Sequence, residues 1–327
     1  MTVLCIQLNE TDPYFNLATE EYLLKQFQDD IFMLWRSEYS VVVGKHQNAL
    51  AEINHPYVRE NNIKIARRLS GGGTVFHDPG NLNFTFIKNV ERLEEVNFRI
   101  FTQPVLSVLR KLGLDAYTTG RNDLLIDGKK ISGNAEHVYK KRVLHHGTLL
   151  FDSHLEKLKN ALKVDLSRFE DKAVQSNRSP VTNIADYLSP RMTVEEFAAF
   201  VFENISQSYA NSKITGLKPE DINAIKKLRD EKYAQWDWIY GYSPKYKYRN
   251  ELISGKGKIT LTLQVEKGKI KECLWEGAIR SDLAGLIAKR LSGLNHSRED
   301  LAPALLVLEE ELAREGISLT HLLDAIL

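Results

Sequence analysis

Three consecutive glycines, Gly71 to Gly73, lie in a short loop and constrain the fold more than any other feature of the chain. Glycine loses the most conformational freedom on folding, so such a run is typical of backbone that turns sharply or approaches something closely. Arg67 and Arg68 precede the glycines, and their guanidinium groups could add bidentate contacts to a phosphate or a carboxylate. The alternative is a tight turn flanked by solvated arginines.

The glycine loop differs from known nucleotide-binding loops. It lacks the G-x-x-x-x-G-K-[ST] pattern of a P-loop and the G-x-G-x-x-G pattern that precedes a helix. The apolar stretch Ile63–Ala66 leads into the loop and the stretch Asn83–Ile87 follows it. We therefore predict a loop between two strands, at the edge of a sheet, rather than a phosphate site at a helix N-terminus.

The composition disfavours nucleic acid and membranes as partners. The 327 residues carry a formal net charge of +1, and no apolar stretch reaches the roughly 18 residues that a membrane span requires. The N-terminus lacks the pattern of a secretory signal, and we expect a cytoplasmic protein. Cys5 and Cys273 lie in apolar, strand-like stretches, so we expect two buried free thiols rather than a disulfide or a metal site.

The order of apolar patterns predicts two parts. Strand-like and helical patterns alternate through the first part of the chain. The stretch Gly241–Asn250 is polar and aromatic and contains glycine and proline, which is typical of a linker. Beyond it, a two-stranded pattern followed by helical patterns predicts a small α+β unit.

A predicted β-hairpin is the second element whose residues are candidates for binding or catalysis. Asp127-Gly128 is a two-residue turn signal between the strands Asp123–Ile126 and Lys129–Ala135. Strand alternation places Lys130 on a polar face of the hairpin. The same face is predicted to carry Ser132 and Asn134. The alternative for a lysine near a hairpin tip is a solvated side chain.

His145 and His146 begin the polar part of the next predicted strand. Neighbours on a strand point to opposite faces, so at most one of them faces a given site, and a metal site built from both is disfavoured. Ser70 and Ser132 are weak candidates for nucleophiles, because neither lies in a G-x-S-x-G sequence.

Several short motifs, taken in order, identify a family. They are N-L-A-T-E-E at 16–21, G-K-H-Q-N at 44–48, the stretch 67–78 with G-N at 80–81, G-R-N-D at 120–123, K-I-S-G-N-A at 130–135, H-H-G-T-L-L at 145–150 and V-T-N at 181–183. With them the chain resembles the lipoate–protein ligase A group of the biotin and lipoate protein ligase family. The resemblance implies an α+β fold: a large catalytic domain with mixed and antiparallel sheets flanked by helices, residues 1–243, a linker, residues 244–250, and a small α+β C-terminal accessory domain, residues 251–327.

The resemblance also implies an activity. Such an enzyme activates free lipoate with ATP and Mg²⁺ to lipoyl-AMP, releases pyrophosphate, and transfers the lipoyl group to a lysine of a lipoyl domain. The implied acceptors are the E2 subunits of 2-oxoacid dehydrogenases and the glycine cleavage H protein, in a pathway that scavenges lipoate. Octanoate is a further candidate substrate, and we expect a monomer.

By the same resemblance, Lys130 is the catalytic residue that bridges the reacting carboxylate and the α-phosphate. The implied contacts to ATP and lipoyl-adenylate are Arg68, Ser70, Gly71, Gly72, Gly73, Thr74, Val75, Phe76, His77, Asn122, Asp123, Lys130, His146, Arg178, Val181 and Asn183. The implied contacts to lipoate are Trp35, Arg68, Val75, His77 and Lys130. Mg²⁺ is expected to bind through the ATP phosphates, with Asp123 as a candidate protein ligand.

Two other functions compete with this one. An octanoyltransferase that depends on acyl carrier protein, or a lipoyl amidotransferase, would share the fold but pass the acyl group through a cysteine thiolate. No cysteine occurs between residues 6 and 272, where all the motifs lie, which argues against both. A non-catalytic lipoate or biotin carrier or sensor would keep the pocket without the lysine, whereas Lys130 is present.

Overall fold

The computed structural model describes residues 2–92, 97–119, 123–162, 164–176 and 179–327. Residue contacts divide the chain into two compact units. Unit 1 comprises Met1–Lys45, Pro56–Leu162 and Ser176–Gln235, and unit 2 comprises His46–His55, Lys163–Gln175 and Trp236–Leu327. Unit 2 thus includes two short segments that lie before the predicted linker, which no change in composition signals.

The strands and helices follow in chain order. The strands are β1 (Val3–Leu8), β2 (Asp30–Arg36), β3 (Ser40–Val43), β4 (Lys64–Arg67), β5 (Val75–His77), β6 (Asn81–Asn89), β7 (Tyr117–Thr118), β8 (Asp123–Ile126), β9 (Lys129–Tyr139), β10 (Arg142–Leu150), β11 (Phe169–Asp171), β12 (Ser212–Ile214), β13 (Tyr246–Ser254), β14 (Gly257–Glu266) and β15 (Lys269–Gly277). The α-helices are α1 (Pro13–Gln26), α2 (Ala49–Glu52), α3 (His55–Glu60), α4 (Phe98–Lys111), α5 (Leu155–Ala161), α6 (Val194–Gln207), α7 (Pro219–Leu228), α8 (Ser281–Leu291), α9 (Arg298–Leu306), α10 (Glu309–Arg314) and α11 (Leu319–Ile326).

Two sheets build unit 1. The larger has the strand order β12-β1-β2-β6-β10-β9-β8-β7, in which β1 runs parallel to β2 and β12 while the other neighbours pair antiparallel. The smaller has the order β4-β3-β5 and carries the glycine loop between β4 and β5. The predicted α+β class with mixed sheets is confirmed, and the loop joins two strands as predicted, although the short strand β5 was not expected.

Side-chain alternation gives the large sheet two different faces. Helices α4 and α6 cover one face, and Leu34 of β2 lies in the apolar cluster that they form with it. Helix α1 covers the other face, and Trp35 belongs to the smaller cluster there. On β10, His145 stacks on Phe101 of α4 with ring centroids 4.7 Å apart. His146 therefore faces α1, in accordance with the prediction that the two histidines diverge.

Unit 2 is built on the four-stranded sheet β11-β13-β14-β15. Its core combines strand residues such as Leu261 with helix residues such as Ile287 and Leu322. The predicted linker is shorter than expected, because β13 already begins at Tyr246. Tyr246 is buried in this core, and the same period continues along β13, so its polar neighbours point outward. Tyr246 and Tyr248 of that stretch are therefore core residues of a strand.

Both cysteines are buried and free, as predicted. Burial raises the pKa of Cys5, and it raises the pKa of Cys273 to about 12. Neither thiol is therefore an activated thiolate at neutral pH. Within the described residues, no helix combines the length and the apolar character that crossing a bilayer would require.

Candidate active site

A cavity of about 240 Å³ lies in unit 1, on the face of the large sheet that α1 covers. Helix α1, strands of both sheets and the glycine loop contribute to its wall. The lining residues are Leu17, Trp35, Val42, Arg68, Gly72, Gly73, Thr74, Val75, His77, Asn83, Asp123, Lys130, Gly133, Asn134, Ala135, His146, Gly147, Thr148 and Ser176. Cationic and polar groups thus share one cavity with aromatic and aliphatic side chains.

The structure brings many of the residues predicted from sequence into this one wall. They are Trp35, Arg68, Gly72, Gly73, Thr74, Val75, His77, Asp123, Lys130 and His146. Asn122 and Arg178 were also predicted, and they lie outside the described residues. The convergence comes from residues far apart in the sequence, and the role of each residue stays a prediction.

Five predicted residues do not line the cavity: Ser70, Gly71, Phe76, Val181 and Asn183. Strand alternation explains Phe76, because its neighbours Val75 and His77 on β5 face the cavity. Asn183 is a structural residue that exchanges two hydrogen bonds of 3.0 Å with the backbone of Ser153.

Val181 acts through its backbone. It forms an isolated parallel bridge with Lys130. The Lys130 N–H donates to the carbonyl of Pro180 at 2.8 Å, and the Thr182 N–H donates to the Lys130 carbonyl at 3.1 Å. The segment that follows residue 178 therefore fixes the main chain of the predicted catalytic residue instead of contributing side chains to the cavity.

A β-bulge determines where the Lys130 side chain points. The predicted register is present, with Leu125 opposite Lys130, but the pairing then shifts so that Leu124 lies opposite Ser132. The extra residue breaks the expected alternation. The Lys130 ammonium consequently lies over Gly133, where a Cβ atom would come within 3.0 Å of Nζ.

The expectation that Lys130 shares a face with Ser132 and Asn134 is therefore wrong. Asn134 Nδ2 donates to Ser132 Oγ at 3.2 Å, and Asn134 Oδ1 lies 3.2 Å from His145 Nε2, on the α4 side of the sheet. Lys130 instead pairs with Asp123, with Nζ 2.9 Å from Oδ1. Both side chains of this ion pair are about one quarter exposed, so a ligand in the cavity can reach them.

Arg68 holds the glycine loop in shape. Its Nη2 donates to the carbonyls of Gly71 at 2.6 Å and Gly73 at 2.7 Å, and its Nη1 donates to the carbonyl of Val42 at 3.0 Å. Its Nε donates to Ser70 Oγ at 2.9 Å. Burial lowers the pKa of Arg68 to about 10, so the guanidinium keeps its charge at neutral pH.

The alternative of a turn with solvated arginines is wrong. Arg67 is fully buried, and its Nη1 donates to the carbonyls of Gly44 at 2.9 Å and Lys45 at 3.1 Å. Gly72 adopts φ +82°, a region that residues with a Cβ rarely enter. Ser176 supports the loop from outside, because its Oγ accepts the Thr74 N–H at 2.8 Å.

A buried polar network lies behind the cavity wall. His146 Nε2 lies 2.6 Å from Ser70 Oγ, and His146 Nδ1 lies 2.9 and 3.0 Å from the two carboxylate oxygens of Glu20. Thr85 Oγ1 donates to Glu20 Oε1 at 2.6 Å, and Trp35 Nε1 donates to Thr85 Oγ1 at 2.9 Å. One carboxylate of α1 thus connects the glycine loop with the aromatic part of the wall.

His77 and Asn83 place two further polar atoms in the apolar part of the wall. His77 Nδ1 and Asn83 Nδ2 are buried and have no hydrogen-bond partner among the described residues. Burial, with help from the charge of Arg68, lowers the pKa of His77 to about 3. His77 is therefore a neutral ring at physiological pH, and its edge packs against Trp35 with ring centroids 5.6 Å apart.

Sequence reasoning missed several residues of this site. They are Leu17, Glu20, Val42, Asn83, Thr85, Ala135, Gly147, Thr148 and Ser176. Leu17 and Glu20 are three residues apart and so share one face of α1, and a carboxylate on the apolar face of a helix signals a buried partner. The strand residues Val42, Asn83, Ala135, Gly147 and Thr148 carry no such signal, because they face the cavity only through the pairing of strands. Thr85 and Ser176 enter the site through hydrogen bonds that depend on tertiary packing.

A metal held by protein groups alone has no site in the part of the chain that the structure describes, since no three His, Cys, Asp or Glu side chains converge there. Asp123 contributes a single carboxylate to the cavity wall. Such a donor set suits a Mg²⁺ ion that is held mainly by waters and substrate phosphates.

Two family models match this chain. The model described as lipoyl protein ligase A/B catalytic domain matches residues 12–206, and the one described as bacterial lipoate protein ligase C-terminus matches residues 243–326. Lipoate-protein ligase LplJ of Bacillus subtilis is 39% identical, in a match that covers 96% of this chain and 93% of that protein. Lipoate–protein ligase 1 of Staphylococcus aureus is 38% identical over 91% of each chain.

Solved structures agree with these matches. A putative lipoate protein ligase from Thermoplasma acidophilum with bound lipoic acid is 25% identical with a TM-score of 0.62, covering 73% of this chain and 99% of that chain. A lipoate-protein ligase A bound with ATP gives 25% identity and a TM-score of 0.62, covering 74% of this chain and 98% of that chain.

Proposed function

This chain belongs to the lipoate–protein ligase family, whose members form amide bonds, and we propose that it uses ATP to ligate lipoate to protein in two steps. In the first, a lipoate carboxylate oxygen attacks the α-phosphorus of ATP, which forms lipoyl-AMP and releases pyrophosphate. In the second, the ε-amine of an acceptor lysine attacks the carbonyl carbon, loses a proton, and releases AMP. The products are the lipoyl amide and AMP.

One observation carries this proposal. Lys130 places an ammonium group in a cavity that also contains a glycine loop with a buried arginine and an apolar wall with Trp35. The first step brings two anions together, so its barrier is largely electrostatic, and a fixed cation at their meeting point lowers it. In the proposal, Lys130 leaves Asp123 for the two oxygen anions that react.

The remaining groups divide between head and tail of the acyl-adenylate. Backbone N–H groups of the glycine loop bind the phosphate, apart from that of Thr74, which donates to Ser176, and Arg68 maintains the shape of the loop through two carbonyls. Trp35 and Leu17 pack against the acyl chain. Asp123, together with the ATP phosphates, would hold a Mg²⁺ ion, which would neutralise charge on the departing pyrophosphate.

For the acceptors we propose the lipoyl domains of 2-oxoacid dehydrogenase E2 subunits and the glycine cleavage H protein. A relative supports this choice, because the structure of a bi-partite lipoate protein ligase from Thermoplasma acidophilum was determined as part of a lipoylation system with its E2 lipoyl domain. We further propose that unit 2, which includes the matched C-terminal model, serves as the accessory domain.

Lipoate-dependent exchange of radioactive pyrophosphate into ATP tests the first step. We expect exchange in the wild-type protein and a loss of about 100-fold or more in Lys130→Ala. Lys129→Ala is the matched control, because Lys129 is the neighbouring lysine of the same hairpin and is exposed. Equal exchange in Lys130→Ala and wild type would remove Lys130 from the proposed role.

The acyltransferase alternative makes a different prediction. It requires an acyl-cysteine intermediate and no ATP. Neither cysteine lines the cavity, and burial raises the pKa of both thiols. Intact-mass spectrometry after incubation with octanoyl-acyl carrier protein, the donor that the transferase would use, should therefore show no thioester on the chain, and a stable acyl-cysteine adduct would favour the transferase.

A further inference from the structure

We propose that Glu20 is a positioning residue of the ligase, which fixes the tautomer of His146 and, through Ser70, the orientation of Arg68 and the glycine loop. The effect on catalysis rests on the proposed function, whereas the effect on the tautomer does not. Glu20 is buried on α1 and touches neither the glycine loop nor Lys130 by any described hydrogen bond. Its influence passes through other side chains.

The donor and acceptor chemistry gives the network one direction. An ionised carboxylate only accepts hydrogen bonds, so the hydrogen of His146 in contact with Glu20 lies on Nδ1. His146 Nε2 is then an acceptor for the Ser70 hydroxyl hydrogen at 2.6 Å. The Ser70 oxygen in turn accepts the Arg68 Nε hydrogen at 2.9 Å. In this arrangement each of these polar hydrogens has an acceptor.

The reverse tautomer breaks this chain. With a hydrogen on Nε2, His146 would donate to Ser70 Oγ, and Nδ1 would present a lone pair to the Glu20 carboxylate. Two acceptors would then face each other at 2.9 Å in a buried site, which is strongly unfavourable. The Ser70 hydroxyl hydrogen would also lose its acceptor. Glu20 is thus the group that selects Nδ1–H.

A second branch of hydrogen bonds reaches Glu20 from the apolar side of the cavity. Thr85 Oγ1 donates to Glu20 Oε1 at 2.6 Å and accepts the Trp35 indole N–H at 2.9 Å. A single carboxylate therefore anchors both Arg68, under the glycine loop, and Trp35, in the wall proposed to hold the acyl chain. Its loss would loosen the two halves of the site together.

The order Ser70, His146, Glu20 has the connectivity of a nucleophile, a base and an orienting carboxylate. Three observations argue against a nucleophilic Ser70. It is fully buried, it does not line the cavity, and its oxygen already accepts a hydrogen bond from Arg68. The arrangement therefore serves to orient the arginine rather than to attack a substrate.

The test compares Glu20→Gln with Glu21→Gln. Glu21 is the matched control because it is the next residue of α1, is equally buried at 3% exposure, and also accepts several hydrogen bonds. Its donors are Lys25, Lys232 and Tyr233, at 2.5, 2.6 and 2.7 Å, none of which lines the cavity. Both changes remove one buried charge from the same helix.

The first readout is the imidazole nitrogen-15 spectrum of the ligand-free protein, with the His146 signals among the nine histidines assigned by a His146→Gln variant. We expect the Nδ1–H tautomer in the wild type, in Glu21→Gln and in Glu20→Asp, which keeps the carboxylate. In Glu20→Gln the amide can donate to Nδ1, so we expect Nε2–H to become populated. The proposal would be overturned if His146 of the wild type were in the Nε2–H form, or if its tautomer were the same in Glu20→Gln as in the wild type.

The second readout is lipoate-dependent pyrophosphate exchange. We expect kcat to fall about 10- to 100-fold in Glu20→Gln, in the range typical of residues that orient groups in direct contact with the reacting centre, and to recover in part in Glu20→Asp. An equal loss in Glu21→Gln, or an unchanged kcat in Glu20→Gln, would reduce Glu20 to a stabilising residue. If the wild type shows no exchange at all, the proposed function fails, and the tautomer alone decides this inference.

Discussion

At the scale of single residues, the position of the Lys130 ammonium depends on a neighbour without a side chain. The aliphatic end of Lys130 lies directly over Gly133, and a Cβ there would meet Nζ at 3.0 Å and Cε at 3.1 Å. The backbone of Gly133 lies outside the region of positive φ, so alanine is tolerated by the main chain. A methyl group would therefore displace the ammonium without unfolding the hairpin.

We predict that Gly133→Ala lowers kcat for pyrophosphate exchange by about tenfold, because electrostatic stabilisation by Lys130 depends on its position. The thermal midpoint should change little. Gly216→Ala is the control, since nothing lies within 4 Å of a Cβ at that position. Wild-type kcat in Gly133→Ala would show that the ammonium has room to act from elsewhere.

At the scale of elements, the glycine loop is held by its own arginine, and its glycines are not equivalent. Gly72 adopts φ +82°, and a Cβ there would approach Arg68 Nη2 at 3.2 Å. Gly71 has neither constraint: its φ is not positive, and nothing lies within 4 Å of a Cβ. The two neighbours thus separate backbone strain from the mere loss of a glycine.

We predict that Gly72→Ala destabilises the protein by about 1–2 kcal/mol, the cost of placing a residue with a Cβ in the left-handed region, and raises KM for ATP. Gly71→Ala should cost markedly less unfolding free energy. Urea unfolding of both variants, together with exchange kinetics, checks this. Equal destabilisation by the two changes would contradict the assigned loop conformation.

The hairpin of β8 and β9 shows which features of the site could be predicted from the sequence. The hairpin, its two-residue turn and the pairing of Leu125 with Lys130 follow from local turn chemistry and alternation, and the structure contains them. The bulge one position later has no sequence signal, so the direction of the Lys130 side chain was predicted wrongly. Glu20 and Thr85 were not predicted as site residues for a related reason: the hydrogen bonds that join α1 to β6 depend on tertiary packing.

At the scale of the whole molecule, two units form separate cores, and the chain contains two cysteines, one in each. We predict that the double variant Cys5→Ala/Cys273→Ala, which has no thiol, keeps lipoate ligation to a lipoyl domain within about twofold of wild type. The physical reason is that neither thiol lines the cavity. Gel-shift or mass analysis of the acceptor measures its lipoylation. A loss of ligation in a folded double variant would support the thiol-transfer mechanism.

Buried histidines make the stability of both units depend on pH. Burial lowers the pKa of His77 to about 3 in unit 1 and of His296 to about 4 in unit 2. His296 is held neutral between Tyr246 and the carbonyl of Ile326, with Nδ1 2.7 Å from the tyrosine oxygen and Nε2 2.6 Å from the carbonyl oxygen. In the unfolded chain each ring titrates near pH 6.5.

The unfolded state therefore binds more protons than the folded state between about pH 6.5 and pH 4, and stability falls as pH falls through that window. Each such histidine contributes up to about 1.4 kcal/mol per pH unit. We predict that His296→Gln lowers the slope of the unfolding free energy against pH by about 1.4 kcal/mol per pH unit, the contribution of one proton. His321→Gln, at an exposed position of α11 in the same unit, should leave the slope unchanged. Urea unfolding at pH 7, 6 and 5 measures the slopes. Parallel slopes for His296→Gln and wild type would mean that folding does not lower the pKa of His296.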